Sequence, residues 1–231
     1  MPARTALVTG ASRGIGREVA RTLVTEGWRV IAAVRDVKSA PPGTEGQPVD
    51  MADAASIEAL AKRLRAANER LDALINNAGV YQVPARQIWD VNVLGPLRLT
   101  RALEPLLADN ARVVMVTSGL GQRSSQSASL VKRLSDPNLS LDDIEELAHE
   151  APDGYGASKA TLNAMARLFA KELGSRGILV NAASPGWART DMGGRGAPRS
   201  VEQGAASVLW GVRLPQGGPN GGVFEDGRKM E

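Results

Sequence analysis

Tyr155 and Lys159 stand four residues apart at the start of a helical pattern that continues through Leu162, Met165, Ala166, Phe169 and Leu173, so both side chains emerge on one face. A free phenol has a pKa of about 10, too high for efficient proton exchange near neutrality, and a neighbouring ammonium favours the phenolate. At about 5 Å and an effective dielectric of about 20, Coulomb's law gives roughly 3 kcal/mol, enough to bring the phenol down to about 8. The pair is a candidate proton donor tuned by a charge, although the same spacing also fits an exposed Tyr and Lys on a surface helix. Ser118 ends the apolar run Val113 to Thr117, at the carboxyl edge where an open parallel sheet presents its ligands. Its hydroxyl can donate to a substrate carbonyl; Thr117 is the neighbouring alternative.

A second kind of chemistry is written near the start of the chain. Thr9-Gly10-Ala11-Ser12-Arg13-Gly14-Ile15-Gly16 follows a first apolar run and opens a helical one. Free backbone N–H groups at such a helix start, with the helix dipole behind them, hold phosphate, and glycine allows close approach. The glycine spacing departs from GxGxxG, and such turns also serve tight strand-to-helix packing. Arg35 stands at the end of the second apolar run, where folds that prefer NAD place a carboxylate against the ribose 2′-OH. A guanidinium there binds a 2′-phosphate instead, and Arg13 can approach from the glycine turn, which points to NADP(H). Asp36 is the competing carboxylate one residue on.

The elements that must position these groups alternate in type. Ala6 to Thr9, Val30 to Val34, Leu71 to Ile75, Val113 to Thr117 and Ile178 to Ala182 read as buried strands separated mostly by amphipathic helices. That alternation predicts an α/β fold, a doubly wound Rossmann-type parallel sheet flanked by helices on both sides and joined by right-handed crossovers. Asp53 caps a predicted helix over Ala54 to Glu69, and Ser200 with Gln203 opens another to about Leu214. Ser39-Ala40-Pro41-Pro42-Gly43 leaves no room for a full helix, so a loop leads into a short strand at Gln47 to Val49. Residues 119–154, Ser-rich and then acidic, form an insertion before Tyr155, with Ser140 capping a helix through about His149. The glycine-rich stretch Gln216 to Gly222 turns the chain into a last strand near Val223.

Composition removes other chemistries. The 231 residues, 43% hydrophobic, fit a single domain spanning 1–231. A net charge of +3 without a Lys or Arg run argues against a nucleic-acid partner. With no cysteine and one histidine, His149, neither a thiolate nucleophile nor a metal centre is expected. No serine has a nucleophile-elbow setting for hydrolysis. The N-terminal run meets Gly10 too early for a secretory or membrane segment, so the expectation is a soluble cytoplasmic protein with no membrane partner.

TGASRGIG at Thr9 to Gly16, NNAG at Asn76 to Gly79, Asn92, Ser118, the box Tyr155-Gly156-Ala157-Ser158-Lys159 and Pro185-Gly186 occur in the order of the short-chain dehydrogenase/reductase family, which the chain resembles from Thr5 to about Phe224. Pro185-Gly186-Trp187-Ala188-Arg189-Thr190-Asp191-Met192 and the insertion resemble the family's carbonyl reductases, though this insertion is shorter. The resemblance implies NADPH-dependent reduction of a ketone or aldehyde, with the small-molecule alcohol as the other half of the couple. It gives Tyr155 the proton, Ser118 the carbonyl, Lys159 the nicotinamide ribose, and Asn92 a water-linked relay behind Lys159; the alternative for Asn92 is an amide bonded to backbone. It sets Asp50 and Met51 beside the adenine, Asn77, Ala78 and Gly79 beside the ribose, and Pro185, Gly186, Thr190 and Met192 beside the nicotinamide or phosphates. Trp187 lines the substrate side or packs in the core, and Met192 to Pro198 has the composition of a mobile loop. A 3-oxoacyl-thioester reductase is the rival within the class, and a catalytically silent NADP-binding regulator or scaffold the rival outside it. A helical insertion before the tyrosine implies a monomer, against the dimers and tetramers common in the family.

Overall fold

Strand β1 (Thr5–Thr9) is buried along its whole length, as an apolar run covered on both faces must be. In the computed structural model, which describes residues 3–152 and 154–230, it pairs in parallel with β2 (Arg29–Val34) on one side and β4 (Leu71–Asn76) on the other. The remaining strands are β3 (Glu45–Pro48), β5 (Leu107–Val116), β6 (Leu179–Ser184), β7 (Val223–Glu225) and β8 (Arg228–Lys229). Together they make one sheet of order β3-β2-β1-β4-β5-β6-β7-β8, parallel except for the last pair. This is the expected doubly wound sheet. Asp153, within the expected insertion, and residues 1, 2 and 231 of the expected single domain lie outside the described residues.

Side chains two apart on a strand share a face, and the two cores follow that rule. Ala6 and Val8 join Val30, Ala32 and Val34 under helices α1 (Gly14–Thr25) and α8 (Val201–Val212). Leu7 joins Ile31, Leu74, Val113 and Met115 on the opposite face. There α2 (Ala54–Ala66), α4 (Gly95–Leu103) and α7 (Gly154–Leu173) cover the sheet. Each large aliphatic side chain so buried contributes about 1.5–3 kcal/mol.

The capping signals act as their chemistry requires. Asp53 accepts from Ala55 N at 2.9 Å at the head of α2. Ser140 with Asp143, and Ser200 with Gln203, form full capping boxes on α6 (Leu141–Glu150) and α8. The 119–154 segment holds two short turns, then α5 (Ala128–Leu134) and α6; Arg98 and Arg101 of α4 reach Glu145 of α6, both at 3.3 Å.

Several boundaries differ from the sequence pattern. α2 stops at Ala66, short of Glu69, because Asn68 turns to φ 51 and Glu69 pairs with Arg29 at 2.5 Å. The short strand is Glu45–Pro48 instead of Gln47 to Val49, although Val49 N still donates to Val34 O at 2.8 Å. β5 begins at Leu107, six residues before Val113, through a register shift against β4 that exposes Asp109 and Asn110 and hides the start from an apolar pattern. β8 adds an antiparallel edge that the sequence pattern did not include. Among the described residues, no helix is long and apolar enough to cross a membrane.

Strand order reverses direction about β1: β2 and β3 build to one side, β4 and β5 to the other. The loops leaving the carboxyl ends of β1 and β4 therefore diverge and open a crevice above the sheet.

Candidate active site

Two loops are stitched together at the floor of that crevice. Thr9 Oγ1 accepts from Asn77 N at 3.0 Å and Ala78 N at 2.9 Å, while Asn77 Nδ2 donates to Thr9 O at 2.8 Å. Asn77 thus spends its amide on the glycine turn. Gly10 and Gly14 take φ of +65 and +55, where a side chain would be strained. A Cβ at Gly16 would stand 2.2 Å from Asn77 Nδ2 and 2.5 Å from Gly10 O, so α1 packs on the turn only because that residue is glycine.

The start of α1 carries no side-chain cap, unlike those of α2, α6 and α8, and no acidic residue in its first turn. Its leading N–H groups are free to meet an anion, the property a pyrophosphate requires. Gly10, Ser12, Arg13, Gly14, Ile15 and Gly16 all line the cleft, which encloses about 750 Å³. Arg35, Asp50 and Met51, then Asn77, Ala78 and Gly79, and Pro185, Gly186, Trp187, Thr190 and Met192 line it as well. The donor set and the shape fit a dinucleotide with an extra phosphate.

The two arginines are not equivalent. Arg35 is exposed at the rim, while the Asp36 carboxylate turns away to cap the 37–39 turn, accepting from Lys38 N at 3.0 Å. Arg13, expected beside the same phosphate, instead pairs across the cleft mouth with Asp191, Nη1 to Oδ2 3.2 Å.

Around Tyr155 the chemistry converges. α7 brings Tyr155 and Lys159 onto one face, as their spacing predicts, and the end of β5 delivers Ser118 to the same wall. Lys159 is 4% exposed; its ammonium donates to Val116 O at 2.8 Å and lies 5.5 Å from the Tyr155 ring centre. Burial pushes Lys159 down to about 8. Burial likewise pushes the Tyr155 phenol up to about 12, partly offset by the Ser118 hydroxyl, and Tyr81 adds to the rise. The expected fall of the phenol to about 8 is therefore not what the structure gives. Desolvation of both groups exceeds their mutual attraction, because the ammonium faces the ring and a carbonyl instead of the phenol oxygen.

Asn92 sits on a π-helical turn, Asp90–Leu94, between α3 (Ala85–Trp89) and α4, and is 1% exposed. Its Oδ1 accepts from Val80 N at 2.8 Å and its Nδ2 donates to Val80 O at 3.1 Å and Ser158 Oγ at 3.3 Å. The amide is bonded to backbone, the alternative the sequence left open. It still neighbours Lys159 across Gly79: a Cβ there would lie 3.4 Å from Asn92 Oδ1 and 3.7 Å from Lys159 Nζ.

The 192–198 segment folds back on the site. Thr190 Oγ1 accepts from Gly193 N at 3.0 Å, and Trp187 Nε1 donates to Gly193 O at 2.8 Å. Trp187 is 60% exposed, which removes the core-packing alternative. Tyr155 Oη meets Met192 Sδ at 4.0 Å. Among the cleft residues that escaped the sequence reading are Asp191, as the partner of Arg13, and Tyr81, whose ring stands 4.9 Å from that of Tyr155. An aromatic residue just beyond Asn76 to Gly79, in a chain with two tyrosines, was the available signal for the second.

Comparison with known proteins agrees with this architecture. Residues 4–130 match the family model described as short chain dehydrogenase, and residues 138–210 match one described as Enoyl-(Acyl carrier protein) reductase. Carbonyl reductase [NADPH] 1 of Sus scrofa is 30% identical over 271 aligned positions, covering 99% of this chain and 94% of the relative. The (+)-neomenthol dehydrogenase of Arabidopsis thaliana is 32% identical over 96% of this chain and 95% of its own. Salutaridine reductase from Papaver somniferum superposes with a TM-score of 0.85 at 25% identity, covering 96% of this chain and 99% of that one. A family match over more than half the chain, full-length relatives and a shared doubly wound sheet make this protein a member of the short-chain dehydrogenase family.

Proposed function

We propose that this chain is an NADP(H)-dependent oxidoreductase that reduces a ketone or aldehyde to an alcohol. The observation that carries the reading is the convergence of Ser118, Tyr155 and Lys159 on one wall of the cleft that begins at the uncapped helix α1. The full-length relatives named as a carbonyl reductase [NADPH] and a neomenthol dehydrogenase support both the reaction class and the coenzyme.

Hydride is the chemistry that the reduced dinucleotide supplies when bound. The chain's own residues supply the rest. The free N–H groups at the start of α1 hold pyrophosphate, and Arg35 holds the ribose phosphate. Ser118 donates to the carbonyl oxygen and stabilises the charge that develops there, and Tyr155 gives that oxygen its proton. A phenol kept high by burial is protonated near neutrality, which suits the reductive direction. Lys159 holds the ribose hydroxyls and, with Asn92 beside it, the path by which the proton returns. Trp187 and Met192 border the carbonyl's substituents. The whole chain, insertion included, acts as one catalytic domain and as a monomer; the ion pairs that hold α6 on α4 support the second point, and light scattering tests it.

An NADPH-oxidation assay over aldehydes, ketones and acyl thioesters tests the reading. Turnover of simple carbonyls with NADPH well above NADH is the expected result. Preference for acyl thioesters would favour the 3-oxoacyl reading, and dinucleotide binding without turnover of any carbonyl would favour a silent regulator.

A further inference from the structure

Tyr81 and Tyr155 are the two tyrosines of this chain, and they touch: the rings meet edge to face, centroids 4.9 Å apart at 66°. The Tyr155 oxygen is hydrogen-bonded to the Ser118 side chain. It donates to Met192 Sδ at 4.0 Å, a weak acceptor on an exposed side chain. Lys159, which one would expect to anchor the phenol, is committed to Val116 O. Ser118 Oγ is shared with Leu120 N at 3.2 Å. These contacts fix where the phenol oxygen sits but not the plane of the ring, which can still turn about them unless the ring itself is gripped.

The grip comes from Tyr81, and Tyr81 is itself held. Its predecessor Val80 is bonded at both backbone groups by buried Asn92. A fixed π-helical amide thus sets the loop, the loop sets one ring, and the edge of that ring sets the plane of the next. Edge-to-face pairs prefer this geometry over other orientations, so the contact constrains angle as well as distance.

We infer that Tyr81 is a positioning residue for the Tyr155 acid, holding the plane of its phenol against the Ser118 wall, with Asn92 acting on it through the Val80 backbone. The inference rests on the proposed carbonyl reduction for its kinetic consequence and on geometry alone for its structural one. The ring matters and the Tyr81 hydroxyl does not.

The test compares Tyr81→Phe with Tyr81→Leu and Tyr81→Met in the full chain. Tyr81→Phe keeps the ring and is expected within about twofold of the parent. The two aliphatic variants are expected to lose about tenfold in kcat while the Kd for NADPH is unchanged, the pattern of a lost transition-state orientation. Each variant leaves Tyr155 as the single tyrosine, so tyrosinate absorbance reads it directly. At about pH 10.5 an ordinary phenol is mostly ionised. Tyr155 in the Phe variant stays protonated there, and in Leu and Met, where water reaches the loosened ring, it ionises. Aliphatic variants with parental kcat, or three coinciding titrations, would overturn the inference. Its failure is distinct from failure of the proposed reaction: a parent that turns over no carbonyl leaves the titration comparison to decide the ring contact alone.

Discussion

The Lys159 ammonium donates to the Val116 carbonyl oxygen over 2.8 Å, joining α7 to the end of β5 beneath the candidate acid. Burial lowers this lysine to about 8 from 10.5. Between those values the unfolded chain binds more protons than the folded one, so stability rises with pH across the window. Lys159→Met lacks that proton. The parent is therefore expected to gain about 2 kcal/mol on the variant between about pH 7.5 and pH 10, by urea unfolding with no nucleotide added. A difference independent of pH would mean that the ammonium is solvated. Tyr155 has the opposite sign: raised to about 12, it costs stability as pH climbs from 10.0 toward that value.

Tyr155→Phe removes the proton donor and keeps the ring against Tyr81. Loss of a positioned acid lowers turnover by about 10²- to 10⁴-fold. NADPH fluorescence titration should give a Kd within a few-fold of the parent. Full retained turnover would remove Tyr155 from the mechanism.

Arg35 lines the cleft, and the neighbouring Asp36 carboxylate is committed to its own turn. Charge-assisted bonds contribute about 1.5–3 kcal/mol. Arg35→Ser is therefore expected to raise KM for NADPH by about 10- to 100-fold while leaving NADH nearly unchanged. Equal effects on both coenzymes would show that Arg35 does not read the extra phosphate.

Asp191 holds Arg13 in a pair whose side chains are 73% and 76% exposed, with Arg13 the less exposed. Such pairs add little to stability. Asp191→Ala should leave the melting temperature unchanged yet tighten NADPH binding about two- to fivefold, because the freed guanidinium no longer has to leave a carboxylate to meet a phosphate. Calorimetry with NADPH checks both halves, and weaker binding in the variant would contradict the competition.

Gly16→Ala places a methyl group against Asn77 Nδ2 and Gly10 O, neither of which can retreat without breaking the stitch between the two loops. Overpacking of this kind costs about 1–3 kcal/mol. Thermal denaturation should show that loss together with weaker dinucleotide binding, whereas an unchanged melting curve would mean that the turn adapts.

The alternating apolar runs determined the parallel sheet, since segments buried on both faces have few other arrangements, and caps such as Ser140 and Ser200 determined where helices begin. The spacing of Tyr155 and Lys159 was enough to put them on one helical face, and the glycine turn was enough to open α1 without a side-chain cap. These are local consequences of backbone geometry, so a linear pattern carries them.

Tertiary structure decided what depends on residues distant in the chain. The direction of the phenol's pKa is one case: spacing put an ammonium nearby, but only the fold buried both groups and aimed Lys159 at Val116. The partner of Arg13 is another, 178 positions away. The contact between Tyr81 and Tyr155 is a third, set by a loop that Asn92 anchors from a different helix. Desolvation and contact energy depend on what the folded chain brings together, and no periodicity along the chain encodes that.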